Sequence, residues 1–315
     1  MFSIKQPKEI VFGKNSAHTY KYPENSLIIT SPGAEKRNWT EYLQLKNYSI
    51  FDKVESNPSI DITTDIINEF SSTNFSNIIG IGGGSCLDVA KFVASKLDKK
   101  KILVPTTFGS GSDVTRISVL RVDGKKKSFH DDKLFADVSV IDSNFLRNTP
   151  DQIKKNSAID ACAQCSEAFD SKSGNKYTKF ICQMAFKNLE SGIINNKDEQ
   201  LVFGSMLSGL GFGNSSTTLG HALSYVFSNE GIAHGHALAY TTTVAHKFNN
   251  SQFYERFLKI VKQLNFPNIR LEQNLEEATS IILEDRKHLD NNPKPITKND
   301  IIELLTTINL HNTLI

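Results

Sequence analysis

Residues 77–94 read NIIGIGGGSCLDVAKFVA. A β-branched apolar run over 77–82 passes through Gly82, Gly83, Gly84 and Ser85 into a stretch, 86–97, whose apolar residues recur at helical spacing. Strand, glycine turn and helix in that order put the amides of the helix's first turn at the strand's end. Glycines let the backbone approach a ligand closely, and the helix dipole favours an anion there. A pyrophosphate fits, and the turn has the context such a site requires.

The surroundings agree. Residues 26–30, 49–52, 101–105 and 138–142 read as buried strands, and 61–72 as a helix. Such alternation implies a parallel sheet with helices on its faces. PTTFGSGSDVT, 105–115, is a second loop of hydroxyls and glycines at a strand's carboxyl end, where α/β folds bind ligands. The nucleotide-binding set expected here is Ser31, Gly82, Gly83, Gly84, Ser85, Asp88, Thr106, Thr107, Ser110, Thr115 and Lys127. After 26–30 the chain continues SPGAEKR, with no acidic residue directly behind the strand to bind a ribose 2′-hydroxyl. Ser31, Gly33 and Lys36 or Arg37 would accept a 2′-phosphate, so NADP(H) is expected over NAD(H); otherwise the two cations are simply exposed. Beyond residue 148 the strands stop. The expected division is an α/β dinucleotide-binding domain, 1–147, and an all-α metal-binding and substrate domain, 148–315.

Bulk properties exclude several classes. Apolar content of 39% and charged content of 22% are those of a globular chain. A net charge of +2 leaves no footprint for nucleic acid. The basic runs KKIL and KKKS read as solvated loops. No apolar run reaches the ~18 residues of a membrane span, and MFSIKQPKEIVFG lacks the order of a signal peptide. Four cysteines make no disulfide ladder; Cys162 and Cys165 are expected as a reduced, buried pair on a helix, and the compartment as cytoplasmic.

AIDACAQCSEAF places Asp160 and Gln164 four apart, on one helix face. GHALSYVFSNEGIAHGHALAY, 220–240, holds three of the eight histidines, His221, His234 and His236. A carboxylate, an amide oxygen and two imidazoles would make a four-ligand site for Fe(II) or Zn(II).

Together IIGIGGGSCLDVAK, PTTFGSGSDVT, ADVSVIDSNF, AIDACAQCSEAF and GHALSYVFSNEGIAHGHA resemble, in order and spacing, the signature blocks of the iron-containing alcohol dehydrogenases. SNPSIDIT is similar to that family's early Asn-Pro element, and the resemblance runs from about residue 5 to 250. It implies the dehydroquinate synthase-like fold: an N-terminal dinucleotide-binding domain, a helical C-terminal domain and an active site in the cleft between them. It also implies Asp160, Gln164, His221 and His234 as metal ligands. A homodimer is expected. Three departures stand out. Gln164 replaces the usual His, Tyr225 replaces a second, non-ligand His, and the spacing of 13 from His221 to His234 aligns as one residue short. Gln164, HALSY and HGHA resemble the phosphonoacetaldehyde reductase branch, which implies reduction of that small anionic aldehyde to 2-hydroxyethylphosphonate. The alternatives are a malonate or succinate semialdehyde reductase or another alcohol dehydrogenase, a dehydroquinate synthase-like lyase, and a non-catalytic nucleotide-binding protein. Tyr225 and His236 are nominated for proton transfer, and Arg116 for an anionic substrate tail unless it sits in a surface salt bridge. The family's last helices, beyond DIIELLTTINL, are expected to be missing.

Overall fold

A computed structural model describes residues 1–310. It divides into two units, Ile4–Thr149 and a second that joins Met1–Ser3 to the chain from Pro150 onward.

The first unit is α/β. Its strands are β1 (Glu9–Phe12), β2 (Ser26–Ile29), β3 (Tyr48–Phe51), β4 (Asn77–Gly82), β5 (Lys100–Pro105), β6 (Ile117–Val122), β7 (Lys125–His130) and β8 (Val138–Ile141). Its helices are α1 (Ser16–Thr19), α2 (Trp39–Tyr42), α3 (Asp61–Glu69) and α4 (Gly84–Lys96). Six strands form a parallel sheet in the order β1-β8-β5-β4-β2-β3. Alternate residues feed opposite layers: Leu27, Ile29, Ile78 and Leu103 enter one core, Ile28, Ile79, Ile102 and Val104 the other. Burial on both faces is why these strands read as unbroken apolar runs. β2 lies between β3 and β4, so strand order reverses beside β2 and β4. Open sheets bind ligands at the carboxyl ends of strands at such a point. Ser31 follows β2, and Gly82 ends β4, with Gly83 and Gly84 leading into α4.

Several elements differ from the sequence expectation. KKIL is not a solvated loop but the start of β5, with Lys101 buried. β1 adds a short edge strand beside β8. KKKS is not a loop but the start of β7, paired antiparallel with β6. Asp123 (φ 51°) and Gly124 (φ 78°) turn the hairpin, and Asp-Gly is the pair a two-residue turn with positive φ prefers. Leu120 and Phe129 anchor the hairpin in the core over α4, while its lysines stay exposed.

In the second unit every regular element among the described residues is a helix: α5 (Asp151–Asp170), α6 (Lys176–Ile194), α7 (Asp198–Phe212), α8 (Leu219–Asn229), α9 (His234–Asn249), α10 (Tyr254–Leu264), α11 (Leu275–Glu284), α12 (Arg286–Asn291) and α13 (Lys298–Asn309). Cys162 and Cys165 lie buried and unbridged on α5, and burial raises both thiol pKa values. Among the described residues no helix is long and apolar enough to cross a membrane.

Candidate functional site

In the α/β unit the glycine turn has no room for side chains. Gly82 takes φ 147°, which disfavours other residues. A Cβ on Gly83 would lie 2.9 Å from Thr107 Oγ1, and one on Gly84 would lie 2.9 Å from Ser110 Oγ. The two loops singled out in the sequence are therefore packed on each other. The amides of Gly84 and Ser85 open α4 and have no carbonyl of their own helix to bond. Thr106 N donates to Gly82 O at 2.9 Å. Thr106 and Thr115 are buried, Thr107 half-buried and Ser110 exposed. Arg37 folds back over the turn after β2: Nη2 donates to Ser31 Oγ (3.1 Å) and Pro32 O (3.0 Å), and the guanidinium lies 4.1 Å from the Trp39 ring centroid.

Asp88 is committed elsewhere. Oδ1 accepts from Ser112 Oγ at 2.6 Å and Oδ2 from Val119 N at 3.0 Å. Lys91 Nζ lies 3.0 Å from the same carboxylate and donates to Ser112 O at 2.8 Å and to Ile117 O. Asp88 and Lys91 thus staple α4 to the segment 112–119, and the expected cofactor contact from Asp88 is corrected to that anchoring role. Lys127 stands exposed on β7 with its ammonium 5.6 Å from the Phe129 ring centroid.

In the helical unit Asp160, Gln164 and Glu167 share one face of α5, at i, i+4 and i+7. α8 brings His221 and the first residue of α9 brings His234. Ligand atoms of Asp160, His221 and His234 all lie within 4.8 Å of one another. Asp160 Oδ1 is 3.7 Å from His221 Nε2 and 4.0 Å from His234 Nε2. Both rings are held from behind: Nδ1 of His221 bonds Glu167 Oε2 at 2.7 Å, and Nδ1 of His234 faces Ser224 Oγ at 3.4 Å. That leaves each Nε2 aimed at Asp160, the arrangement in which an imidazole can ligate.

Glu167 is buried and also accepts from Thr218 N at 2.9 Å. Burial raises its pKa, but the charge and hydrogen bond of His221 win and hold it below the ordinary value. Burial likewise lowers the His221 pKa, yet Glu167 and Asp160 outweigh it and push that imidazole up to about 9. Two carboxylates bracketing neutral-capable imidazoles is a charge balance suited to a divalent cation. Gly220 makes the room: a Cβ there would lie 2.1 Å from Glu167 Oε1. Glu167→Gln is expected to weaken metal binding ~10–100-fold, as loss of an outer-shell partner does. Titration of metal-free protein with Co(II) or Zn(II) checks this; unchanged affinity would reduce Glu167 to a core plug.

Gln164 lies against Asp160, Nε2 donating to Oδ1 at 2.9 Å, with Oε1 3.4 Å from Ser208 Oγ. Ser208 gives its proton to Ala161 O at 2.8 Å. A hydroxyl so committed accepts from an amide NH2. Turning the Gln164 amide over would supply that donor and set Oε1 toward the Asp160 carboxylate, an oxygen pair that a cation between them would hold. The donor set thus fits Fe(II) or Zn(II) with a weak amide ligand.

Four rings close a circuit here. Centroid separations are 5.6 Å for His221–His234, 6.3 Å for His234–Tyr225, 5.9 Å for Tyr225–His288 and 6.3 Å for His288–His221. Tyr225 borders the cluster as its sequence position implied. Burial, then the carboxylates of Asp285, Asp160 and Glu167, raise its pKa and keep the phenol protonated. His236 is not beside the cluster. Two residues from His234 on a helix it faces away, with Nε2 2.5 Å from Pro267 O and its ring stacked on Phe266. Arg116 pairs with Asp132 at 2.8 Å at the surface, the salt-bridge alternative given for it. Sequence reasoning missed Glu167 and His288. The i+7 spacing from Asp160 was legible for Glu167; for His288 only a D-x-x-H capping pattern was.

The iron-containing alcohol dehydrogenase family profile matches residues 7–143, and the profile of that family's C-terminal part matches 154–284. Among curated proteins, 4-hydroxybutyrate dehydrogenase of Clostridium kluyveri is 30% identical over 209 residues, 57% of this chain and 56% of that enzyme. The chain therefore spans little more than half of that relative's length. Sulfoacetaldehyde reductase of Bilophila wadsworthia is 26% identical over 283 residues, 77% of this chain and 73% of that enzyme. The crystal structure of sulfoacetaldehyde reductase from Bifidobacterium kashiwanohense in complex with NAD+ superposes with a TM-score of 0.88 at 22% identity, over 98% of each chain. At that identity the likeness concerns the fold alone: a parallel α/β unit followed by a helical one.

Proposed function

Because this chain belongs to the iron-containing alcohol dehydrogenase family, matching its profiles over 7–143 and 154–284, we propose that it is a metal-dependent, nicotinamide-linked reductase of a small anionic aldehyde, with phosphonoacetaldehyde the first choice of substrate. The observation that carries this reading is the convergence of Asp160, His221 and His234, with Gln164 alongside.

Asp160, His221, His234 and the amide oxygen of Gln164 would hold Fe(II) or Zn(II), which when bound supplies Lewis-acid polarisation of a carbonyl. A nicotinamide dinucleotide supplies the hydride. Glu167 and Ser224 fix the ring orientations of the two histidines. Gln164, the weakest ligand type of the set, keeps one position displaceable. The amides of Gly84 and Ser85 take the pyrophosphate, and Tyr225 offers its O–H to an oxygen near the cluster. Ser31 and Arg37 take the ribose 2′-phosphate, so the cofactor is NADPH rather than NADH. Arg37→Ala is expected to cut kcat/KM with NADPH ~10–100-fold, the value of one hydrogen bond to a charged group, and to leave NADH kinetics within about twofold. Equal losses with both cofactors would remove the 2′-phosphate assignment.

The anionic substrate class is supported by relatives named for sulfoacetaldehyde and 4-hydroxybutyrate; the phosphonate by the Gln164, HALSY and HGHA resemblance. Malonate or succinate semialdehyde is the second reading, favoured by the 30% identity to the hydroxybutyrate enzyme. A cytoplasmic homodimer completes the proposal, the compartment supported by four free, buried cysteines. The test is NADPH oxidation by Fe(II)- or Zn(II)-loaded protein offered phosphonoacetaldehyde, sulfoacetaldehyde and both semialdehydes. A dominant kcat/KM for the phosphonate supports the first choice. Preference for another of the four retains the class and replaces the substrate. No turnover of any, with metal bound, overturns the reading.

A further inference from the structure

We propose that His288, held by Asp285, is the side chain that exchanges a proton with the substrate oxygen in this enzyme. The proposal rests on the reductase reading above.

His288 lies on α12, 67 residues beyond His221 in the chain. Its ring nevertheless stacks at 20° on the His221 ring and closes the circuit with Tyr225. It is buried, with 7% of its surface exposed. Nδ1 bonds Asp285 Oδ2 at 2.6 Å, and the His288 backbone N–H reaches Asp285 Oδ1 at 3.4 Å. Asp285 therefore holds His288 through one ring nitrogen and the backbone. Nε2 has no hydrogen-bond partner among the described residues. A simple helix cap would account for the Asp285 contacts. It would not account for a buried imidazole set against a candidate metal ligand with its second nitrogen unspent.

A carboxylate behind one imidazole nitrogen fixes the orientation of the ring and so the direction of the other nitrogen. The two other candidates lack this arrangement. His236 is spent on Pro267 O, and the Tyr225 hydroxyl makes no hydrogen bond to a carboxylate among the described residues. In the reducing direction hydride adds to the carbonyl carbon, and the C=O π pair becomes a lone pair on oxygen. The Nε2–H proton of His288 moves to that oxygen. Neutral His288 stays bonded to Asp285 through Nδ1–H, and water returns the proton to Nε2. In alcohol oxidation the same nitrogen takes the hydroxyl proton.

His288→Asn keeps a side-chain donor for Asp285 and removes the transferable proton. The expected result is a kcat lower by ~10²–10⁴-fold, with KM for the aldehyde, bound metal and NADPH affinity each within about twofold. His288→Ala is expected to regain part of its kcat with added imidazole, which a purely structural role would not show. A kcat unchanged in His288→Asn, a raised KM with kcat intact, or loss of metal would each overturn the proposal; the last two would make His288 an anion-binding group or a ligand. One readout needs no turnover. In protein labelled with ¹⁵N-histidine, the His288 Nε2 signal, identified by its absence in His288→Asn, is expected to move when 2-hydroxyethylphosphonate or 3-hydroxypropionate is added with Zn(II) and NADP+. A signal that stays put overturns the proposal even if the unmodified enzyme reduces every aldehyde. Conversely, a moving signal in a protein that reduces none keeps His288 at a ligand and sends only the reductase reading down.

Discussion

Asp160→Ala is expected to purify without metal and without reductase activity, while binding NADPH as tightly as the unmodified chain. Asp160 Oδ1 faces both candidate imidazoles, at 3.7 and 4.0 Å, and takes the Gln164 amide at 2.9 Å. Losing it removes the anionic ligand and the hub to which the other three are set. The loss of metal affinity should exceed the ~10–100-fold typical of an outer-shell change. Turnover should fall to background, because an unpolarised carbonyl is a poor hydride acceptor. The residues proposed for the nucleotide all belong to the other compact unit, so quenching of protein fluorescence by NADPH should be unchanged. The checks are metal content by mass spectrometry, the NADPH binding curve and kcat. Full turnover in this variant would remove the metal assignment altogether.

Lys91→Met is expected to destabilise the α/β unit by ~3–5 kcal/mol, the cost of breaking a buried pair. The ammonium is wholly buried and bonds Asp88, Ser112 O and Ile117 O. Burial lowers its pKa and Asp88 works against that shift. Without Lys91 the Asp88 carboxylate stays buried with Ser112 and Val119 N as its partners. The unfolding midpoint of this unit should drop by roughly 10 °C, and NADPH should bind more weakly because the segment behind the second loop loses its anchor. Lys91→Met with Asp88→Leu should be more stable than Lys91→Met alone, since no charge is then left unpaired. If the double variant were the less stable of the two, shape and not charge would explain the pair.

How much of this was legible in the chain varies by residue, and the reason is the range over which each feature is encoded. The strand, glycine turn and helix at 77–94 depend on local periodicity and on glycine's freedom. Both are present in the residues themselves, and the sheet, the turn and the two packed loops follow. The Asp160–Gln164 face is likewise a property of one helix. The sequence by itself determined these elements and, through the family blocks, the two histidines that join α5. The Asp-Gly turn of the β6–β7 hairpin is equally local, but the lysines that follow it read as a solvated loop, so the hairpin emerges only in the structure.

Tertiary structure alone decided which side chains were spent. Asp88 sits one turn into α4, where a cofactor contact was reasonable, but Lys91 and Ser112 claim its carboxylate. Arg116 finds Asp132 at the surface. His236 turns from His234 because two residues on a helix lie ~200° apart. Glu167 and His288 enter the site because α5, α8 and α12 pack so that residues up to 128 apart in sequence, Asp160 and His288, serve one cluster. Hydrophobic periodicity tells which face of each helix turns inward. The rotation and depth at which those faces meet are set by the summed packing of many side chains, and that is what brings His288 beside His221.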